Sequence, residues 1–160
     1  MSESFQVLVK NENETEVMAA KIAANCQAGD LLILDGDLGA GKTHFVKWFV
    51  ESLHAKDRVT SPTFSIANFY RTDRCNVLHI DLYRISTVNE FIDLGLDDYF
   101  GRSITLIEWG EKFSSCFDEY LLISLHVNED NSRLITVSCK GEKYRSLTSR
   151  LTDETKGVIC

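Results

Sequence analysis

Lys42 and Thr43 close the run Gly36-Asp37-Leu38-Gly39-Ala40-Gly41-Lys42-Thr43, whose spacing G-x-x-x-x-G-K-[ST] suits the holding of a polyphosphate. A chain of phosphates has to be wrapped by successive backbone N–H groups, and glycine allows the positive φ angles and close approach that wrapping requires. Residues Asp37 to Thr43 form the cradle, in which Gly39 and Gly41 are the permissive positions. A helix starting at Lys42 points its positive N-terminal end at the same anion. Lys42 then reaches the β- and γ-phosphates as a point charge, and the Thr43 hydroxyl is set to ligate Mg²⁺.

Phosphoryl chemistry also needs an acid for the metal and its water shell, and a group that orients the nucleophile. Two apolar segments each end in a carboxylate: Val77-Leu78-His79-Ile80-Asp81 and Ile104-Thr105-Leu106-Ile107-Glu108. In an open parallel sheet the carboxyl ends of strands line the ligand crevice, so either Asp81 or Glu108 is placed to face the metal. His79, inside an apolar strand, reads as a packed, hydrogen-bonded core histidine, and His44 as an outward-facing helix residue. Ser61-Pro62-Thr63 stands where many P-loop hydrolases carry a mobile switch threonine, although an ordinary proline turn fits the same residues. Trp109 is either a core aromatic or a cover over the nucleotide.

The elements that must position these groups follow from periodicity. Phe5, Val7 and Val9 alternate and predict a short strand, while Met18, Ile22 and Cys26 recur every four positions and predict a helix over residues 14 to 28, with Gly29 as its stop. Leu31 to Asp35 is a continuous apolar run, as in a strand covered on both faces. A helix follows over 42 to 54, with Phe45, Trp48, Phe49 and Leu53 on its inner stripe. Strands are predicted over 64 to 70, 76 to 81 and 104 to 108. Thr87 and Glu90 have capping-box spacing for a short helix ending near Gly95. YLLISLHV and RLITVSC pair across the polar loop NEDNS. The class implied is an α/β three-layer sandwich of the P-loop NTPase kind, its sheet mainly parallel with antiparallel additions. One domain spans residues 1 to 139, and a tail over 140 to 160 is weakly helical at best.

Composition narrows the function. The 160 residues carry 24 acidic and 17 basic side chains, a formal charge of -7, which disfavours a protein whose main task is gripping a phosphate backbone. The basic members of the tail, Lys140, Lys143, Arg145 and Arg150, are a candidate contact for an acidic partner surface or nucleic acid, against the alternative of a solvated, frayed end. Five cysteines with no C-x-x-C pair suggest neither a disulfide framework nor a zinc site, and fit reduced thiols in the cytoplasm. No run is long enough to span a bilayer, so no membrane association is expected.

Taken together and in order, GDLGAGKT, SPTF, HIDLYR, EFIDLGLDDYF and IEW resemble the bacterial TsaE family, also called YjeE, over roughly residues 5 to 139. The resemblance implies a small P-loop ATPase using ATP and Mg²⁺. Such a protein acts with TsaB and TsaD in forming N6-threonylcarbamoyladenosine at position 37 of tRNAs, while TsaD performs the transfer. Carried over by motif, Asp37 to Thr43 bind the phosphates, Thr43 and Glu108 hold Mg²⁺, Asp81 is the Walker-B-like acid and Thr63 the switch threonine. Trp109 neighbours the nucleotide or TsaD, Arg133 approaches ATP from late in the chain, and Thr15 lies near the adenine. The sequence departs from the family pattern at His44, often a hydroxyl or small residue, and at Gly110, commonly proline. Two other readings stay open: a small-molecule kinase with Asp81 as base and Arg84 on the acceptor, and a nucleotide-sensing module in which binding orders Ser61 to Phe64.

Overall fold

The computed structural model describes residues 4–62 and 65–156. β1 (Ser4–Val9) leads to Asn11, whose side chain accepts a hydrogen bond from the Glu14 N–H at 3.0 Å and so starts α1 (Glu12–Ala24). Glu14 in turn accepts from the Lys10 N–H at 2.7 Å. The helix begins two residues before its expected start and ends four before its expected end. Its last carbonyls are taken by side chains: Asn25 Nδ2 donates to Lys21 O at 2.9 Å, and the Arg74 guanidinium donates to Ala23 O at 3.1 Å and Cys26 O at 2.6 Å. The Cys26 N–H also donates to Ala23 O at 3.1 Å, so the backbone and the sequence-remote Arg74 together close the helix, which ends before Gly29.

β2 (Leu31–Asp35) sends Leu32 and Leu34 to one face and Leu31 and Ile33 to the other, as a strand covered on both sides must. α2 (Lys42–Ser52) buries Phe45, Val46, Phe49 and Val50, each large side chain contributing about 1.5–3 kcal/mol relative to exposure. Trp48 is only half-buried. β3 (Ala67–Arg71) and β4 (Asn76–Asp81) form an antiparallel pair, and α3 (Val88–Asp93) is capped by Thr87, whose hydroxyl accepts from the Glu90 N–H at 3.1 Å. β5 (Ser103–Glu108), β6 (Tyr120–Val127) and β7 (Arg133–Lys140) follow, and α4 (Arg145–Lys156) closes the described chain.

The seven strands form one sheet in the order β1-β7-β6-β2-β5-β4-β3. Its centre, β6-β2-β5-β4, is parallel, and the antiparallel additions lie at both edges: β3 on one side, β7 and β1 on the other. Helices α1, α2 and α4 cover one face through Met18, Ile22, Phe45, Phe49, Leu147 and Leu151. The other face is covered by α3 and the 3-10 segments Asp97–Arg102 and Glu111–Cys116, with Phe91 stacked on Phe113 at 5.4 Å. This is the expected three-layer arrangement.

The tail differs from the weakly helical segment expected. α4 is a twelve-residue helix with Leu147, Thr148 and Leu151 buried, and Tyr144 just before it accepts a hydrogen bond from the Leu31 N–H at 2.8 Å. Its threonines look unsuited to a core. They are accommodated because Thr148 and Thr155 each donate to the carbonyl four residues earlier, at 2.8 Å. Three of the tail's basic side chains are engaged within the chain: Lys140 with Phe117 O, Lys143 with Gly29 O and Asp30, and Arg145 with Glu142. Among the described residues no disulfide forms, and no helix is long and apolar enough to cross a membrane.

Candidate active site

The carboxyl ends of β2, β4 and β5 open onto a cavity of about 410 Å³, a volume suited to a small-molecule ligand. Its floor is the loop from β2 to α2, where Gly39 and Gly41 adopt φ of 84° and 99°. At Gly36 the constraint is space, since a Cβ there would lie 2.5 Å from the Leu125 carbonyl oxygen. α1 and α3 both have side-chain caps, but α2 starts at Gly41 with none, so its first N–H groups face the cavity side unsatisfied by any cap.

Lys42 is buried at the first position of α2. Its ammonium donates to the carbonyls of Gly36 and, at 3.1 Å, Asp37, and lies 4.0 Å from the Trp109 ring centroid. Burial pulls its pKa below the ordinary lysine value, opposed by the nearby carboxylates of Glu108, Asp35, Asp37 and Asp81. Thr43 Oγ1 donates to Glu108 Oε1 at 2.9 Å, joining the first turn of α2 to the end of β5. Asp81 stands directly opposite Glu108 in the parallel register of β4 and β5, and its Oδ1 accepts from the Tyr83 N–H at 2.9 Å.

Leu38, Gly39, Ala40, Gly41, Lys42, Thr43, Asp81, Glu108, Trp109, Thr15 and Arg133 all line this one cavity. Arg133 is anchored there by donation from Nε to Ala40 O at 3.1 Å. The Thr15 hydroxyl donates back to Asn11 O at 3.4 Å within its own helix. Asp37 is outside the lining and takes part through its carbonyl, which accepts from Lys42 and from the Ala40 N–H. Thr63 lies outside the described residues. His44, expected to face outward, is exposed yet borders the cavity, with its ring 5.8 Å from Trp48 in an edge-on contact.

Five lining residues escaped the sequence reading: Glu12, Trp48, Tyr83, Leu125 and, as a lining residue, His44. Glu12 and Thr15 share one face of α1 at i, i+3, and His44 and Trp48 share one face of α2 at i, i+4, so spacing held a signal for both pairs. Nothing local marked Leu125 or Tyr83. Trp109 has φ of 60°, and its ring packs against Tyr83 at 5.2 Å as well as over Lys42.

The loop N–H groups, the Lys42 ammonium, the Thr43 hydroxyl and the adjacent carboxylates of Asp81 and Glu108 fit a polyphosphate accompanied by a hard divalent cation. Among the described residues no group of three or more histidine, cysteine or acidic side chains gathers. Mg²⁺ needs none, since it keeps several waters and is held through one or two carboxylates plus phosphate.

A family profile described as "Threonylcarbamoyl adenosine biosynthesis protein TsaE" matches residues 9–135. The chain belongs to the TsaE family. The TsaE protein of Bacillus subtilis is 40% identical over 144 residues, covering 89% of this chain and 90% of that one. That of Aquifex aeolicus is 32% identical over 134 residues, covering 82% and 94%. The crystal structure of Bacillus subtilis YdiB superposes with a TM-score of 0.80 at 34% identity, covering 97% and 98%. The span matched to TsaE contains every cavity residue from Glu12 to Arg133 and stops before α4.

Proposed function

We propose that this chain is an ATPase subunit required to form N6-threonylcarbamoyladenosine at position 37 of tRNAs, acting in the cytoplasm with TsaB and TsaD by binding and hydrolysing ATP, not by making the transfer. The pathway follows from the family and from relatives named for tRNA threonylcarbamoyladenosine biosynthesis. The phosphate chemistry rests chiefly on one observation, the 2.9 Å hydrogen bond from Thr43 to Glu108 beside Asp81, at the mouth of an uncapped helix.

In this reading the N–H groups from Leu38 to Thr43 wrap the phosphates. Lys42 exchanges two neutral carbonyl acceptors for charged phosphate oxygens, a stronger pairing. Thr43 and Glu108 would hold Mg²⁺, which when bound neutralises charge on the β- and γ-phosphate oxygens. Asp81 orients water next to them, with Thr63 as the switch threonine. Trp109, stacked over Lys42, excludes bulk water from the ammonium, which strengthens its electrostatic pull. Arg133 and Thr15 approach the nucleotide from the far wall. The acidic balance of the chain and the internally engaged lysines of the tail favour contact with tRNA through partners over direct gripping.

Reconstitution with TsaB, TsaD, threonylcarbamoyl-adenylate and tRNA tests the reading, with modified nucleoside and released phosphate measured together. Wild type should stimulate modification and hydrolyse ATP, and Glu108→Ala should bind ATP yet lose turnover. A wild-type protein that does neither would sink the assignment. Hydrolysis without any effect of its loss on modification would favour the nucleotide-sensing module.

A further inference from the structure

Glu108 and Asp81 are register partners, but the Glu108 carboxylate leans back along the sheet face instead of resting only beside Asp81. Its Oε2 meets His79 Nε2 at 2.5 Å, two residues back along β4, while Oε1 accepts from Thr43 Oγ1 at 2.9 Å. Thr43 Oγ1 also lies 3.2 Å from Oε2, so the hydroxyl is nearer to Oε1, and Oε2 is the oxygen that meets the buried ring. The His79 side chain is 0% exposed and Glu108 is nearly as buried. His79 is too deep to touch a ligand in the cavity, and it does not line it.

Among the described residues the other ring nitrogen, Nδ1, has no hydrogen-bond partner. That decides where the ring hydrogen lies. A hydrogen on Nδ1 would leave a buried N–H unmatched, which costs more than an unmatched lone pair. The hydrogen sits on Nε2 and is donated to Glu108 Oε2. Carboxylates that bind metal are commonly aimed by such an outer hydrogen bond, and losing it weakens metal binding even though the ligand itself remains.

We propose that His79 is a positioning residue, occupying Glu108 Oε2 so that Oε1 stays turned toward Thr43 in the orientation that holds Mg²⁺; this rests on the reading of Glu108 as the metal's carboxylate. His79 acts through Glu108 alone. Its contribution lies in the aim of the carboxylate, so it is carried by a donor at the Nε2 position and not by the ring's bulk.

The test uses full-length wild type, His79→Leu, His79→Gln and Glu108→Gln. For each, affinity for a fluorescent ATP analogue is measured with Mg²⁺ and with EDTA, bound Mn²⁺ is counted by electron paramagnetic resonance, and the melting midpoint is recorded. His79→Leu keeps bulk without a donor and should lose about 10- to 100-fold of the Mg²⁺-dependent gain in affinity, with the EDTA affinity unchanged. His79→Gln, whose amide nitrogen reaches about as far as Nε2, should recover most of that gain. Where His79→Leu does not fold, His79→Asn, one bond too short, takes its place in the same comparison. If His79→Leu keeps the full Mg²⁺ gain while Glu108→Gln loses it, the positioning role is overturned and the metal reading stands. If Glu108→Gln also keeps the gain, the metal reading fails and this inference falls with it. Equal loss in His79→Gln and His79→Leu, tracking only their melting midpoints, would reduce His79 to packing.

Discussion

Asp30 and Asp35 bracket β2, and the charged groups gathered at its two ends are matched in opposite ways. At the Asp30 end the chain supplies both halves of each contact. Asp30 accepts from the Gln27 N–H at 2.8 Å and faces Lys143 at 3.5 Å, while Arg74 closes the carbonyls of α1 and Tyr144 accepts from Leu31. The Asp35 end differs at the first turn of α2. α2 has no cap, and the Lys42 ammonium rests on loop carbonyls at a depth that disfavours its charge. Both ends bury polar groups, so burial alone does not mark a site. What distinguishes them is whether the chain itself completes the hydrogen bonding.

The strongest way to break that contrast is Lys42→Ala. It should lower ATP turnover in the reconstitution with TsaB and TsaD by about 100- to 1,000-fold, the usual scale for losing one preorganised electrostatic group. The melting midpoint should stay near wild type, because the ammonium's partners are loop carbonyls open to the cavity. An early-melting variant would show that Lys42 serves the fold and would erase the difference between the two ends.

Arg74→Ala is the mirror experiment and should lose about 1–3 kcal/mol of stability in urea unfolding by removing the guanidinium from Cys26 O and from Ala23 O, the latter keeping its backbone donor. Nucleotide affinity should not move. A drop in affinity at unchanged stability would mean that the Asp30 end communicates with the cavity.

The smallest effect lies in alkaline pH. The folded protein holds the pKa of Lys42 below the ordinary lysine value of 10.5, chiefly through burial. Between the lowered folded value and the unfolded one, the unfolded chain carries a proton the folded chain has released, so stability from this group rises with pH. Wild type should therefore gain stability relative to Lys42→Met as pH climbs toward 10.5, measured by paired urea titrations. A difference that is flat or of opposite sign would place the ammonium in a better-matched setting than its contacts imply.

The cradle was legible in sequence because its chemistry is local. Gly36 to Thr43 are one continuous loop and helix start, so residue type and spacing suffice. Asp81 and Glu108 were legible as strand ends, since apolar runs predict parallel strands and their carboxyl ends face one crevice. The partners of these acids were not. His79 read as a packed, hydrogen-bonded core histidine, and its contact with Glu108 depends on a one-strand diagonal that only the β4–β5 register creates. The stop of α1 was misplaced because the helix ends at Ala24, where the Asn25 and Cys26 N–H groups and the distant Arg74 meet its last carbonyls, and not at Gly29. α4 was undervalued because a threonine-rich helix has weak local propensity, and its stability comes from Leu147 and Leu151 meeting the sheet.

By itself the sequence determined the glycine-rich loop before α2, the alternation of strands and helices along the chain, and which acids end β4 and β5, because each follows from short-range spacing and side-chain periodicity. The tertiary structure alone decided that Glu12 and Tyr83 share a cavity with Thr43, that the Glu108 carboxylate meets both His79 and Thr43, and that the tail completes the core. These are contacts between segments far apart in the chain. Their geometry is set by strand register and by packing across the sheet, which no local spacing encodes.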